Sequence, residues 1–132
     1  MKVFETNLRV NSTEIDSFGH VNNSVYLKYM EVARCDFMRQ VGISFNDFRL
    51  NNAFPVVVDA ELHYHKSLVC DDWITIRGVF ADWRKASFAQ DYEILKEDGT
   101  LVMSARLKFA MVDFDGKIIK VPDFFKIPFS HE

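Results

Sequence analysis

Only one stretch of the chain repeats its apolar residues at helical spacing, and this restricts the fold more than any other feature. Between Asn23 and Val41, the residues Tyr26, Tyr29, Met30, Ala33, Phe37 and Val41 recur at steps of three and four, with Val25 and Val32 widening the stripe. So broad an apolar girth predicts a helix that is covered on more than one side. Gly42 supplies the left-handed residue that ends it, and Glu31 is placed to pair with Arg34 one turn on.

Around that helix the period is two. Phe4, Leu8 and Val10 alternate with polar neighbours in a first strand. Ile43 to Phe54 is less regular and reads as a short helical turn and loop leading to Pro55. Val56, Val58, Ala60, Leu62 and Tyr64 then share one face of a long strand, with Val57, Asp59, Glu61, His63 and His65 on the other. Ile74, Ile76, Gly78 and Phe80 repeat the pattern, as do Ala86, Phe88, Tyr92 and Ile94. Glu97-Asp98-Gly99-Thr100 is a hairpin signal, after which Leu101, Met103, Ala105, Leu107, Phe109 and Met111 alternate most clearly of all. Asp115-Gly116 turns once more into Lys117 to Val121, and the aromatic tail through Phe129 predicts that Phe124 or Phe125 packs on the body or on a partner subunit. One long helix followed by antiparallel strands, each with one apolar face, predicts an α+β fold in which a sheet wraps the helix.

A chain of 132 residues with 48% hydrophobic content suits one domain over residues 1–132 with a single core. The net charge of -3, with 16 Lys and Arg scattered among 19 acids, leaves no basic stripe for nucleic acid. Glu5 interrupts the start of the chain, which has no apolar segment of secretory type, and no later stretch has the length and apolarity of a membrane span. A cytoplasmic address is the expectation, with Cys35 and Cys70 as free thiols.

Chemistry concentrates where the loop enters the helix, at Asp16-Ser17-Phe18-Gly19-His20-Val21-Asn22-Asn23. A helix beginning after Asn22-Asn23 leaves its first N–H groups without intrahelical partners, with the positive end of the macrodipole behind them. Asp16 lies one short turn upstream, so a carboxylate and an amide donor are able to converge on one carbonyl from different sides. Asp16 is equally suited to capping the turn before Gly19. His20 reads as a hydrogen-bonding residue that fixes the loop or touches the substrate, Asn22 as the cap that leaves the Asn23 N–H free, and Tyr26 as core or pocket wall.

The run Asp16-x-x-Gly19-His20-Val21-Asn22-Asn23-x-x-Tyr26, followed by Tyr29, Glu31 and Arg34, resembles the hotdog-fold acyl-CoA thioesterases of the 4-hydroxybenzoyl-CoA thioesterase type. The resemblance implies a hotdog fold. It also implies that Asp16 acts as nucleophile or general base while the Asn23 N–H polarises the thioester carbonyl. His20, Gly19, Val21, Asn22 and Tyr26 would then surround the reacting group. Glu31 is the reserve acid, since some hotdog thioesterases use a helix carboxylate. The run is also similar to the plant acyl-ACP thioesterases, in which an Asp, an Asn and a His precede the shared Val-Asn-Asn; Asp16 and His20 match, but Phe18 stands where that Asn would be. Coenzyme A enters as part of the substrate, with no separate cofactor. The family forms dimers whose sites borrow residues from the neighbour, and tetramers are common, so a homodimer or homotetramer is expected.

Lys66, Arg84 and Lys85 lie near strand ends as candidates for the phosphates of coenzyme A, although no Gly-rich phosphate loop accompanies them. His63 and His65, beside Asp59 and Glu61, have a spacing that admits a metal, but no third ligand cluster exists and no metal is expected. Two other readings stay open: a non-hydrolytic acyl-binding module of the same fold, and a thioesterase acting on acyl carrier protein.

Overall fold

Five antiparallel strands form one sheet in the order β1-β3-β4-β5-β2, from β1 (Val3–Arg9), β2 (Phe54–Tyr64), β3 (Trp73–Ala81), β4 (Ser87–Lys96) and β5 (Leu101–Val112). The computed structural model describes residues 2–130. Three helices accompany the sheet: α1 (Val25–Gln40), α2 (Phe45–Asn51) and α3 (Asp123–Ser130). No helix among the described residues is long and apolar enough to cross a membrane.

One face of the sheet wraps α1. Register places Phe4, Gly78, Tyr92, Ala105 and Leu62 side by side on that face, and α1 lowers Tyr26, Tyr29, Met30, Ala33 and Phe37 onto it, all of them buried. Gly78 sets the approach of the helix: a β-carbon there would lie 2.6 Å from Cε2 of Phe37, so the Phe37 ring occupies the space that any side chain would need. Burying an aromatic ring this completely stabilises by about 1.5–3 kcal/mol, and Phe37 meets Phe4 at 5.5 Å and stacks on Tyr92. Val32 departs from the expected stripe and is 46% exposed. Arg34 departs too: its guanidinium lies 4.8 Å from the Phe109 ring centre instead of pairing with Glu31, because its stem points at the sheet.

Strand β2 corrects the alternation read from sequence. A bulge between Val57 and Asp59 inserts one residue, so Ala60, Leu62 and Tyr64 keep the helix-facing side, whereas upstream of the bulge Val57, opposite Phe109, takes that side in place of Val56 and Val58. Only β5 pairs with β2, whose other edge is open and whose Val57, Val58 and Tyr64 are exposed. The irregular stretch after Gly42 holds α2, begun by a capping box in which the Ser44 N–H donates to Asp47 and ended by left-handed Asn52. Residues 117–121 form no strand beyond an isolated bridge between Val112 and Ile118. The aromatic tail is helix α3, which buries Phe125 and Phe129 against Phe80 and Phe88, while Phe124 packs on Phe48.

Candidate active site

The loop between β1 and α1 is a closed hairpin-like turn. The Asp16 N–H donates to the His20 carbonyl at 2.9 Å, the Gly19 N–H donates to the Asp16 carbonyl at 3.1 Å, and Ile15 bridges Val21. Gly19 supplies the φ of +83° that closing this turn requires. The Val21 N–H donates to the Leu68 carbonyl, and the Asn22 N–H to the Glu14 carbonyl, tying the turn to the segment after β2 and to the short 3-10 turn Ser12–Glu14. Glu14 in turn accepts the Tyr29 hydroxyl at 2.7 Å, anchoring the same segment to α1.

Within this frame Asp16 is half-buried. Its Oδ1 accepts the Phe18 N–H at 2.9 Å, while Oδ2 has no donor among the described residues. Asn22 is not the helix cap expected from the sequence: that position falls to Ser24, which makes no side-chain cap bond, and Asn22 Oδ1 instead accepts the Ser24 N–H at 3.0 Å and the Ser24 hydroxyl at 2.8 Å in a turn just ahead of the helix. The helix proper begins at Val25, two residues later than the periodicity suggests, with the Val25 N–H donating to the Asn22 carbonyl. Among the described residues, the Asn23 N–H donates to no acceptor. It lies two residues ahead of the 16-residue helix α1, close to the end where the macrodipole favours negative charge.

Asp16 and Asn23 border one cavity of about 420 Å³, together with Phe18, His20, Val21 and Tyr26. Its opposite wall comes from the end of β2 and the residues after it: Tyr64, His65, Lys66 and Ser67. Tyr64 packs edge-on to Tyr26 at 5.1 Å and donates its hydroxyl to the Asn23 carbonyl at 3.3 Å. Burial raises the pKa of the Tyr26 phenol, and the adjacent Tyr64 adds to the rise, so this phenol stays protonated at physiological pH. His20 fixes the turn through its carbonyl, and its exposed imidazole lines the cavity. Phe18 is 86% exposed at the rim.

The structure separates the other sequence candidates. Gly19 and Asn22 shape the loop without lining the cavity. Lys66 joins Asp16 at the cavity, but Arg84 and Lys85 lie past the other end of β3, whose nine residues span roughly 26 Å. Arg84 is there paired with Asp82 at 3.4 Å. Glu31, two turns along α1 from Asn23, is exposed and does not line this cavity. His63 pairs with Glu61 at 2.9 Å and His65 approaches the Ser104 hydroxyl at 3.1 Å. Cys35 and Cys70 are both free thiols. Sequence reasoning missed Tyr64, His65 and Ser67 as cavity residues; the only local signal was the run of polar residues ending a long strand.

Known proteins resemble this chain in sequence and in fold. A relative from Aquifex aeolicus is 32% identical over 114 residues, which is 86% of this chain and 88% of its own. The long-chain acyl-CoA thioesterase FadM of Escherichia coli is 28% identical over 110 residues, 83% of each chain. The crystal structure of a 1,4-dihydroxy-2-naphthoyl-CoA thioesterase from Synechocystis superposes with a TM-score of 0.90 at 17% identity, covering 99% of this chain and 100% of that one. The strand order, the single wrapped helix and these superpositions define a hotdog fold. With residues 10–129 matching the thioesterase-like superfamily, the chain belongs to that superfamily of hotdog thioester hydrolases.

Proposed function

We propose that the protein hydrolyses acyl-CoA thioesters at the Asp16 cavity. The observation behind this reading is that a carboxylate with a free oxygen and an unpartnered amide at a helix N-terminus border the same opening. The thioester carbonyl accepts the Asn23 N–H, and the helix dipole stabilises the negative charge that grows on that oxygen; a donor so placed contributes roughly 3 kcal/mol to the transition state. Asp16 acts in one of two ways. It attacks the carbonyl carbon, expelling the CoA thiolate and leaving a mixed anhydride that water then cleaves, or it takes a proton from a water that attacks directly. Either route ends in free acid and CoA thiol. His20 and Lys66 flank the opening, Lys66 facing the polyanionic half of the substrate. Coenzyme A arrives with the substrate, and neither route calls on another cofactor.

The working form is proposed to be a homodimer or homotetramer. Strand β2 offers eleven residues with one unpaired edge and exposed Val57, Val58 and Tyr64, and Leu27 and Val32 on α1 are exposed as well. Adding a panel of short, long and aromatic acyl-CoAs and following free thiol tests the assignment. Thiol release above the buffer rate from at least one of them is the expected result. Saturable binding without thiol release would overturn hydrolysis and leave a non-catalytic acyl-binding module.

A further inference from the structure

Glu14 stands at the base of the Asp16 turn and is bonded in two directions. Its main-chain carbonyl accepts the Asn22 N–H at 3.2 Å, one residue before Asn23, while Asp16 follows it by two residues. Its side chain reaches the helix: Oε1 accepts the Asn11 N–H at 2.8 Å and the Tyr29 hydroxyl at 2.7 Å. Tyr29 lies one turn inside α1 and is 3% exposed. Burial first, and the bond to Glu14 second, hold its phenol protonated, so the donor is present throughout the physiological pH range. The bond length is that of a hydroxyl on a carboxylate, a stronger contact than one between neutral groups. The peptide that carries the Asn23 N–H is fixed on its other sides as well. The Asn22 carbonyl accepts the Val25 N–H at 2.9 Å, and the Asn23 carbonyl accepts the Tyr64 hydroxyl.

We propose that Glu14 and Tyr29 are positioning residues, and that the bond between them sets the separation of the Asp16 carboxylate from the Asn23 N–H. The inference rests on Asp16 and Asn23 being the reacting centre. Asp16 rides on the turn and Asn23 on the approach to α1, so each tie between turn and helix fixes how far apart the two groups stand. Neither Glu14 nor Tyr29 lines the cavity, so both act through the groups that do. Without the Tyr29 hydroxyl the Glu14 carboxylate keeps the Asn11 N–H alone, and the turn loses its side-chain anchor inside the helix. A shift of about 1 Å between reacting groups costs about a hundredfold in rate.

The test compares Tyr29→Phe with Tyr92→Phe, which also removes one buried hydroxyl, donated to Gln90 on β4. The readouts are kcat and KM for the best acyl-CoA of the panel, thermal melting, and hydrogen exchange of the Asp16 and Asn22 amides by NMR. Tyr29→Phe is expected to lower kcat by about ten- to a hundredfold with KM within about threefold, and to speed exchange at both amides by about tenfold or more. Tyr92→Phe is expected to lower the melting temperature at least as far while kcat stays within about threefold of the wild type. A Tyr29→Phe kcat within about threefold of the wild type, or equal kcat losses in the two variants, overturns the positioning role. Glu14→Ala repeats the test from the half-buried end of the bond. Combined with Tyr29→Phe it is expected to cost no more than the larger single loss, and losses that multiply overturn the shared bond. If no acyl-CoA releases thiol, the proposed chemistry fails and exchange alone decides. Faster exchange at Asp16 and Asn22 in Tyr29→Phe but not in Tyr92→Phe supports the tether, whereas unchanged exchange overturns it.

Discussion

Replacing Asp16 with Asn removes a charge while keeping the shape of the side chain. Asp16 Oδ1 accepts the Phe18 N–H at 2.9 Å, and an Asn carbonyl oxygen accepts the same bond, so the turn that ends at Val21 keeps its geometry. The residue is half-buried beside an open cavity, and the unfolding free energy is expected to change by less than about 1 kcal/mol. Catalysis loses far more. An amide nitrogen in place of Oδ2 neither attacks a carbonyl nor accepts a proton from water, and removing such a group typically lowers turnover by about 10²–10⁴, or roughly 3–5 kcal/mol of barrier. The Asn23 N–H remains, so KM changes little. The assay is thiol release from the best acyl-CoA in the panel, paired with thermal melting of the same samples. Turnover within about threefold of the wild type would refute the role of Asp16. Lost turnover with a melting temperature lowered by more than about 5 °C would refute the claim that the loop tolerates the change.

Gly78→Ala is expected to destabilise by about 1–3 kcal/mol in urea unfolding, since the new methyl meets the Phe37 ring at 2.6 Å; a neutral or stabilising result would show that α1 shifts freely on the sheet. Alkaline pH is expected to weaken the fold. Burial above all, only partly offset by Arg34, holds the Tyr92 phenol well above its ordinary 10.0, and burial with the bond to Glu14 does the same for Tyr29. Unfolded, these phenols ionise near pH 10 while the folded ones stay protonated, so the unfolded chain binds fewer protons and stability falls as pH rises past that value. For the fully buried Tyr92 the slope reaches about 1.4 kcal/mol per pH unit, and stability that is level from about pH 9 to about pH 11 would contradict it. Sizing at micromolar concentration is expected to give a dimer or tetramer, and a single monomer peak would count against the open β2 edge as a subunit contact.

The elements legible in the sequence were those whose pattern is local. Tyr26 to Phe37 announce α1 through spacing alone, and Gly99 marks the β4–β5 hairpin, where it adopts a φ of +89°. The loop acid and the helix amide were legible because seven residues and one turn hold both at the same cavity. What escaped depends on long-range geometry. Alternation carries no mark of the extra residue at the Val57/Asp59 bulge, so the inward set of β2 was shifted by one upstream of it. Lys66 and Arg84 look alike as basic residues near strand ends, but β2 and β3 run in directions that place those two at opposite ends of the sheet. Helix α3 was hidden because Pro122 precedes its i, i+4 pair Phe125 and Phe129 and Pro128 falls within it, and both prolines read as breakers.

The aromatic cluster closing one end of the sheet bears on how the molecule is made. Phe4 lies 5.4 Å from Phe129 and Phe80 stacks on Phe129 at 3.9 Å, so the first strand is sealed by a helix far along the chain from it. A nascent chain that stops short of Phe125 therefore leaves the rings of Phe4, Phe80 and Phe88 wet. Contacts of such long sequence separation form only after the loop between them has closed, so this end of the sheet is sealed late in folding.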